Sequence, residues 1–321
     1  MTTSRELDVG TQHASITWTE SGILARTSAT TVRRLLPTRG EVIDYAIAPD
    51  TKAFAFDIER GLVTSDGFVV RSGDRMTPFL AAARCDDPRI IEHCLFSDSA
   101  RVIAVTWTTS GNGWVPYDAF GLFDTLTGNP LPCERMLPDE WCDGEIAFAG
   151  VHALLAHRTY WYASNSGSAG GPGRGFDVWN VESGRRVGGC SDCGMGDVND
   201  NAPCVYAIDR SGAYVAYAQE FPFVCGTRFD VRREEPEFDI ASAIDGFIAR
   251  RGSVAVCGNG QLVIACRDRI VFAWHDGQTA VLPAESPLAV ALSRDETHVA
   301  WLEASGAVRT AAIPTGGHSD G

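Results

Sequence analysis

Hydrophobic and polar residues alternate along most of the chain in short runs, which turn residues interrupt about every eight to twelve positions. The period of 3.6 residues that marks an amphipathic helix is hard to find in these runs. Steps such as Asp-Gly, Ser-Gly and Thr-Gly separate one run from the next. This pattern predicts an all-β protein, built as a sandwich, a barrel or a propeller.

A longer unit recurs along the chain and decides between these architectures. It consists of an apolar run, a turn rich in Asp, Ser or Gly, and a second apolar run. Clear copies lie at 42–61, 93–107, 204–219 and 288–306, and weaker copies at 14–28, 145–159 and 246–266. A sheet-forming unit that repeats in this way is typical of a propeller. We interpret each copy as strands a and b, the first two strands of a four-stranded blade.

A second repeated phrase follows two of these units. "LFDTLTGNPL" at 122–131 and "VWNVESGRRV" at 178–187 both combine two apolar residues, Asp or Asn, a spacer and Thr/Ser-Gly. We interpret the phrase as strand c with its turn, because the Gly lets the chain reverse tightly.

The best copy of the whole pattern, "FSDSARVIAVTW" continuing to "FGLFDTLTGNPL" at 96–131, resembles a repeat of the WD40-like β-propellers. Asp124 stands where that family has the Asp of its Trp-Asp pair, and Asn180 takes the equivalent place in the second phrase. The Gly-His pair of a full repeat is absent. The resemblance implies a ring of blades, and a fold alone does not define an activity.

We therefore predict one all-β domain over residues 1–321, a seven-bladed β-propeller with four-stranded antiparallel blades; six or eight blades remain open because the first two copies are degenerate. A lone blade buries too little apolar surface, whereas a ring covers both faces of each blade. Since the chain after Ile313 is too polar for a strand, residues 5–9 are predicted to close the last blade. The predicted blades span 13–41, 42–84, 93–133, 145–189, 204–240, 244–283 and 287–313 plus 5–9.

Composition and charge narrow the function classes. Of the 321 residues 45% are apolar, which is ample for a large core. The formal net charge of −14 repels phosphate backbones and argues against nucleic-acid binding. The N-terminus does not resemble a signal peptide, and no apolar run approaches the roughly 20 residues of a membrane span. We expect a soluble, cytoplasmic and monomeric protein that binds no membrane, and the residue usage suggests a bacterial source.

The connections between predicted strands differ in length from face to face. In a propeller the b–c and d–a connections emerge on one face, and the a–b and c–d turns on the other. The a–b turns are short, whereas three successive b–c connections are long, at 106–120, 159–176 and 218–229. Exposed aromatic clusters mark binding surfaces. The candidate partner-binding residues are Trp114, Tyr117, Trp161, Tyr162, Phe221 and Phe223, whereas Trp107 and Tyr160 are assigned to strands; the alternative is that these loops fold onto one another.

The cysteines suggest one metal site. Cys190 and Cys193 have the spacing of a metal-binding pair, and Cys204 and Cys225 are predicted on the same face, so four thiolates would form a structural zinc site. A redox pair between the first two cysteines and reduced, buried thiols remain alternatives. Calcium binding at 197–201 is a weaker hypothesis, because the loop lacks the Gly and Glu of an EF-hand. No other cofactor is expected.

No catalytic motif stands out, since G-x-S-x-G, H-E-x-x-H and Walker A sequences are all absent. The predicted function is therefore a non-catalytic platform or scaffold that docks another protein on the aromatic face of blades three to five. The alternatives are a propeller enzyme (a lyase, hydrolase or isomerase) with its site at the mouth of the central channel, or a carbohydrate-binding propeller in which Trp114 and Trp161 stack on sugars. Converging acidic or His side chains with perturbed pKa values in the channel would favour catalysis.

Overall fold

A computed structural model gives the fold. It describes residues 15–19, 21–49, 51–65, 89–109, 120–133, 141–160, 172–190, 204–219, 223–230, 233–234, 244, 247–274 and 276–315. Within these ranges the secondary structure consists of strands and turns, and none of the described residues forms a helix that could cross a membrane.

The strands of the described residues form seven sheets, which we number in chain order. Sheet 1 contains β1 (Ile16–Thr19), β2 (Gly22–Ser28), β3 (Thr31–Leu36) and β4 (Glu41–Ala46), and sheet 2 contains β5 (Phe54–Asp57) and β6 (Gly61–Thr64). Sheet 3 contains β7 (Arg89–Phe96), β8 (Val102–Thr109) and β9 (Phe120–Asp124). Sheet 4 contains β10 (Trp141–Ala149), β11 (His152–Tyr160), β12 (Pro172–Asn180) and β13 (Arg185–Cys190). Sheet 5 contains β14 (Cys204–Ile208), β15 (Tyr214–Gln219), β16 (Phe223–Asp230) and β17 (Arg233–Glu234). Sheet 6 contains β18 (Val254–Val256), β19 (Leu262–Cys266), β20 (Arg269–Ala273) and β21 (Thr279–Pro283). Sheet 7 contains β22 (Pro287–Leu292), β23 (His298–Glu303) and β24 (Val308–Ala312).

Consecutive strands pair antiparallel within every sheet, and consecutive sheets pack side by side. Contacts join β5 to β7, β7 to β10, β10 to β14, β14 to β18 and β18 to β22, and β1 of the first sheet contacts β22 and β23 of the last. Sheets 1 and 2 share a buried cluster that includes Leu24, Phe54 and Leu62. The sheets therefore form a closed ring, which confirms the prediction of an all-β propeller with antiparallel blades.

The core lies between neighbouring sheets rather than in a single centre. One buried cluster joins sheets 2, 3 and 4 and contains Val63, Ile103, Leu122 and Trp179, the last of which is fully buried. Each sheet is covered on both sides by its neighbours, so strands such as Leu262–Cys266 are apolar without alternation. Mutual coverage of this kind is what stabilises a ring of small sheets.

The repeated phrase forms strand c and its turn, as the sequence predicts. β9 ends at Asp124, whose Oδ1 accepts hydrogen bonds from the N–H groups of Leu126 and Thr127 at 2.9 and 2.7 Å. β12 ends at Asn180, whose Oδ1 accepts a bond from the Ser183 N–H at 3.0 Å. Asp124 and Asn180 therefore have the same role in the two turns, because the side-chain oxygen of each accepts hydrogen bonds from main-chain N–H groups two and three residues ahead.

The glycine of each phrase completes the turn. The N–H groups of Gly128 and Gly184 donate to the carbonyl oxygens of Asp124 and Asn180, both at 2.9 Å. Their φ angles are 72° and 66°, in the left-handed region that favours glycine. The Thr/Ser-Gly step is thus required by the backbone.

Six of the seven predicted a–b pairs are confirmed, and the copy at 42–61 is wrong. Glu41–Ala46 pairs with β3 and forms the outer strand of sheet 1, so only β5 and β6 begin sheet 2. The alternation of apolar residues does not distinguish an inner strand from an edge strand, and Val42 is 57% exposed on this edge.

The prediction of seven complete four-stranded blades is also wrong for the part of the chain described. Sheets 1, 4, 5 and 6 have four strands, sheets 3 and 7 have three, and sheet 2 has two. Residues 5–9, the predicted closing strand, lie outside the described residues. In the described residues the ring closes by packing of β1 against β22.

Candidate functional site

Most of the predicted aromatic surface falls in connections between strands b and c. Trp114, Tyr117, Trp161, Tyr162 and Phe221 lie outside the described residues. Phe223 is the first residue of β16, where its main chain pairs with Gln219. The third b–c connection therefore covers only 220–222 and is not long, because β15 and β16 extend further than the sequence pattern indicates.

The other two b–c connections are long but shorter than predicted. β8 continues to Thr109 and β12 begins at Pro172, so the connections cover 110–119 and 161–171. Trp107 and Tyr160 are strand residues, as predicted. Since β10 contacts both β7 and β14, sheets 3, 4 and 5 are neighbours and their b–c connections leave the same side of the ring.

Three of the four predicted zinc ligands lie at strand positions. Cys190 ends β13, Cys204 begins β14, and Cys225 lies within β16 opposite Tyr217 rather than in a loop. Cys193 and the loop 197–201 lie outside the described residues, so the zinc site, the redox pair and the calcium site stay predictions.

Three other cysteines are core residues, in agreement with their interpretation as small buried side chains: Cys94, Cys257 and Cys266. Burial raises the pKa of Cys257 to about 12, and the nearby carboxylates of Glu296 and Asp209 act in the same direction. Cys257 is therefore a neutral thiol at physiological pH and a poor nucleophile.

The centre of the ring, which we call the channel, is lined by the first strands of the sheets. It contains a cavity of about 210 Å³ lined by the first strands of sheets 1, 3, 4, 5, 6 and 7. A second cavity of about 80 Å³ lies towards sheets 1, 2 and 3 and shares Asp98 and Arg251 with the first. The channel wall is mainly apolar, with contributions from Ile16, Leu95, Phe96, Ile146, Phe148, Val254, Val256, Val290 and Leu292.

The a–b turns at one mouth of the channel share one backbone geometry. In four of them the N–H of the fourth residue donates to the carbonyl of the first, and the fourth residue has a positive φ. These fourth residues are Ala100, Gly212, Gly260 and Glu296, with φ angles of 57°, 73°, 82° and 54°. Because this conformation favours glycine, the charged side chain of Glu296 occupies a position that its backbone disfavours.

Glu296 projects from its turn towards the neighbouring sheet. Its Oε2 accepts a hydrogen bond from the N–H of Gly258 at 2.7 Å, which ties sheet 7 to sheet 6. Burial raises the pKa of Glu296; the Gly258 N–H opposes this shift, and the carboxylate of Asp209 reinforces it. Side chains that combine unusual backbone strain with a perturbed pKa cluster at functional sites.

A second polar group joins sheets 3, 4 and 5 at the same mouth. Arg210 Nη1 lies 2.8 Å from Asp98 Oδ2, which also accepts the Gly150 N–H at 3.2 Å. The His152 Nδ1–H donates to the Arg210 carbonyl at 3.1 Å. These charges are compensated by each other and by the main chain.

Arg251 is the exception among the charged residues of the channel. It lies in the turn before β18 in sheet 6, yet its Nη2 reaches the carbonyl oxygen of Cys94 in sheet 3, at 3.4 Å. Sheets 3 and 6 are not neighbours in the ring, so the side chain crosses the channel. Within the described part of the chain it forms no ion pair with a carboxylate.

Sequence reasoning missed Asp98, Arg210, Arg251 and Glu296. The first two lie in turns that it assigned, but their convergence depends on the ring. Glu296 carried a local signal, because "SRDETH" has Glu where the equivalent turn "DRSGAY" has Gly. The position of Arg251 in the sequence gives no indication that its side chain enters the channel.

No family model matches the chain, and no curated protein matches its sequence. Among solved structures, the chain is similar to the β-propeller domain of Myceliophteria thermophila Cps50 (Swd1), with 10% identity and a TM-score of 0.57. The similarity covers 94% of this chain and 98% of that domain. It confirms the fold implied by the WD40-like resemblance: the chain has the fold of a β-propeller.

Proposed function

We propose that the chain is a non-catalytic protein-binding platform whose partner docks on the b–c face of sheets 3, 4 and 5. The observation that carries the proposal is the adjacency of these sheets, whose b–c connections leave the ring on one side. The proposed contact residues are the aromatic residues that the sequence has in or beside these connections: Trp114, Tyr117, Trp161, Tyr162, Phe221 and Phe223. Large aromatic side chains supply most of the energy at many protein interfaces.

The channel supports docking over catalysis. Its wall is mainly apolar, and none of the described residues that line its two cavities is a His. Asp98 is paired with Arg210, so it is not an available base. The strained backbone of Glu296 and its raised pKa, to which the nearby carboxylate of Asp209 contributes, favour the alternative of an enzyme.

The finer features of the platform belong to the same proposal. Sheets 1 to 7 correspond to seven blades, the seventh of which is completed by residues 5–9 from the N-terminal side. The protein works in the cytoplasm as a monomer and binds neither nucleic acid nor membrane.

Affinity purification from the native host tests the docking face. Trp114→Ala combined with Phe223→Ala should abolish capture of the partner and leave the melting temperature nearly unchanged. The matched control is Ile58→Ala with Leu126→Ala, since both residues are exposed, at 77% and 53%, on the opposite face. Undiminished capture by the first variant overturns the proposed face, and a large fall in its melting temperature would show that its aromatic residues belong to the core.

A further inference from the structure

The central channel has room for a small molecule. Its main cavity measures about 210 Å³, larger than the roughly 150 Å³ apolar cavity that is known to bind benzene in another protein. Apolar walls with a few polar groups, such as those of this cavity, are typical of ligand sites.

Arg251 places a positive charge inside this space, and none of the described carboxylates forms an ion pair with it. A guanidinium has five N–H donors, and the structure gives the side chain of Arg251 one hydrogen bond, to the Cys94 carbonyl at 3.4 Å. That distance is long for an N–H···O bond. The side chain is half-buried, and a half-buried charge is costly unless it is compensated. The remaining N–H groups of the Arg251 guanidinium are therefore available to a hydrogen-bond acceptor of a ligand in the centre of the ring.

Glu296 lines the same cavity from the mouth. One oxygen of its carboxylate is used by the Gly258 N–H, and the other has no hydrogen-bond partner among the described residues. Its strained backbone, with a φ of 54°, is not required for the turn, because Ala100, Gly212 and Gly260 form equivalent turns without a charge. The cavity therefore offers an acceptor as well as a donor group.

We propose that the channel binds a small organic anion, whose carboxylate or phosphate group pairs with Arg251 and whose hydroxyl or ammonium group donates to Glu296. The planar fork of the guanidinium matches two oxygens of either anion. The apolar wall accommodates the carbon skeleton between the two groups. This site is separate from the docking face of the b–c connections and does not depend on a protein partner.

Inorganic phosphate and acetate, titrated at constant ionic strength against chloride, are the probes. Thermal unfolding and titration calorimetry should both report binding to the wild-type protein. Arg251→Gln should weaken binding at least about tenfold, since it removes a charge-assisted pair. Arg251→Lys keeps the charge without the fork and should also bind more weakly than the wild type.

The matched control is Arg250→Gln, which makes the same change of charge at the adjacent residue outside the channel lining. It should bind both anions as the wild type does. Phosphate stabilises many proteins by exclusion from their surface, so an equal effect on Arg251→Gln would overturn the proposal. Absence of binding of both anions to the wild type, or an equal loss in Arg250→Gln, would overturn it as well.

Discussion

The guanidinium of Arg26 donates a hydrogen bond to the main-chain oxygen of Thr51 at 2.5 Å. Arg26 lies in β2 of sheet 1, and Thr51 lies in the connection that leads to sheet 2. The same guanidinium also donates to the carbonyl groups of Ala29 and Pro49, at 2.7 and 3.1 Å. A side chain that is 2% exposed thus satisfies main-chain acceptors from two neighbouring sheets.

We expect Arg26→Met to lower the free energy of unfolding by about 3 kcal/mol, because buried carbonyl groups would lose their donor. Arg33→Met is the control. Arg33 forms a bidentate pair with Asp44 on the surface, and such pairs contribute about 1 kcal/mol or less. Urea denaturation measures both values, and equal losses in the two variants would contradict the assigned role of Arg26.

The Asx turn after strand c gives a second prediction. Asp124→Asn should change the free energy of unfolding by less than about 1 kcal/mol, because Asn180 already performs the same role in sheet 4. Asp124→Ala should cost about 1–2 kcal/mol, since the N–H groups of Leu126 and Thr127 lose their acceptor. If the Asn and Ala variants unfold at the same urea concentration, the turn does not depend on this acceptor.

The glycine of the second phrase gives a third prediction. Gly184→Ala would place a Cβ atom 2.3 Å from the main-chain oxygen of Pro132, in addition to the positive φ of 66°. Gly40→Ala is matched, with a φ of 63° and open space around the new atom. We expect a loss of about 1 kcal/mol for Gly40→Ala and roughly 3 kcal/mol or more for Gly184→Ala. Thermal or urea unfolding of the two variants separates the cost of backbone strain from the cost of the steric clash with Pro132. Similar losses of unfolding free energy in the two variants would show that the close approach of Pro132 is unimportant.

Glu296 gives a prediction about pH. Burial raises its pKa above the ordinary value of 4.5, so the folded protein holds this proton more tightly than the unfolded chain does. The free energy of unfolding should therefore fall as the pH rises above about 4.5 through the folded-state pKa. Glu296→Gln should remove this component and be relatively more stable than the wild type at neutral pH.

Asp295 is the control of opposite sign in the same turn. The Ser293 hydroxyl and the Thr297 side chain and N–H lower its pKa to about 2, so its contribution is present above the ordinary value of 3.8 and is lost towards pH 2. Urea denaturation across pH 2–8 should show that Asp295→Asn is less stable than the wild type above about pH 3.8 and that the difference narrows towards pH 2. Parallel pH profiles for the wild type and Glu296→Gln would contradict the burial of Glu296.

Local sequence patterns predicted the strands and turns well, because they depend on residues close in the chain. The phrases at Asp124 and Asn180 specify an Asx turn and a left-handed glycine, and both are found. The order of the strands within a sheet follows from the short turns. The copy at 42–61 was wrongly interpreted as strands a and b of one blade. Alternation of apolar residues indicates that one face of a strand is buried, but it does not indicate with which sheet the strand pairs.

The channel residues could not be assigned in the same way. Arg251 and Cys94 are 157 positions apart, and only closure of the ring brings them together. Asp98 and Arg210 belong to sheets that are not adjacent, and their contact depends on the curvature of the ring. Glu296 is the exception, since a charged residue at a glycine position of a repeated turn is visible in the sequence.

Hydrogen–deuterium exchange of the protein with its captured partner tests the central claim most directly. A partner docked on the b–c face should slow exchange in 110–119, 161–171 and 220–222, and should leave exchange in the a–b turns at 97–101, 209–213 and 293–297 unchanged. Protection confined to the a–b turns would contradict the account, because the docking face would then lie on the other side of the ring.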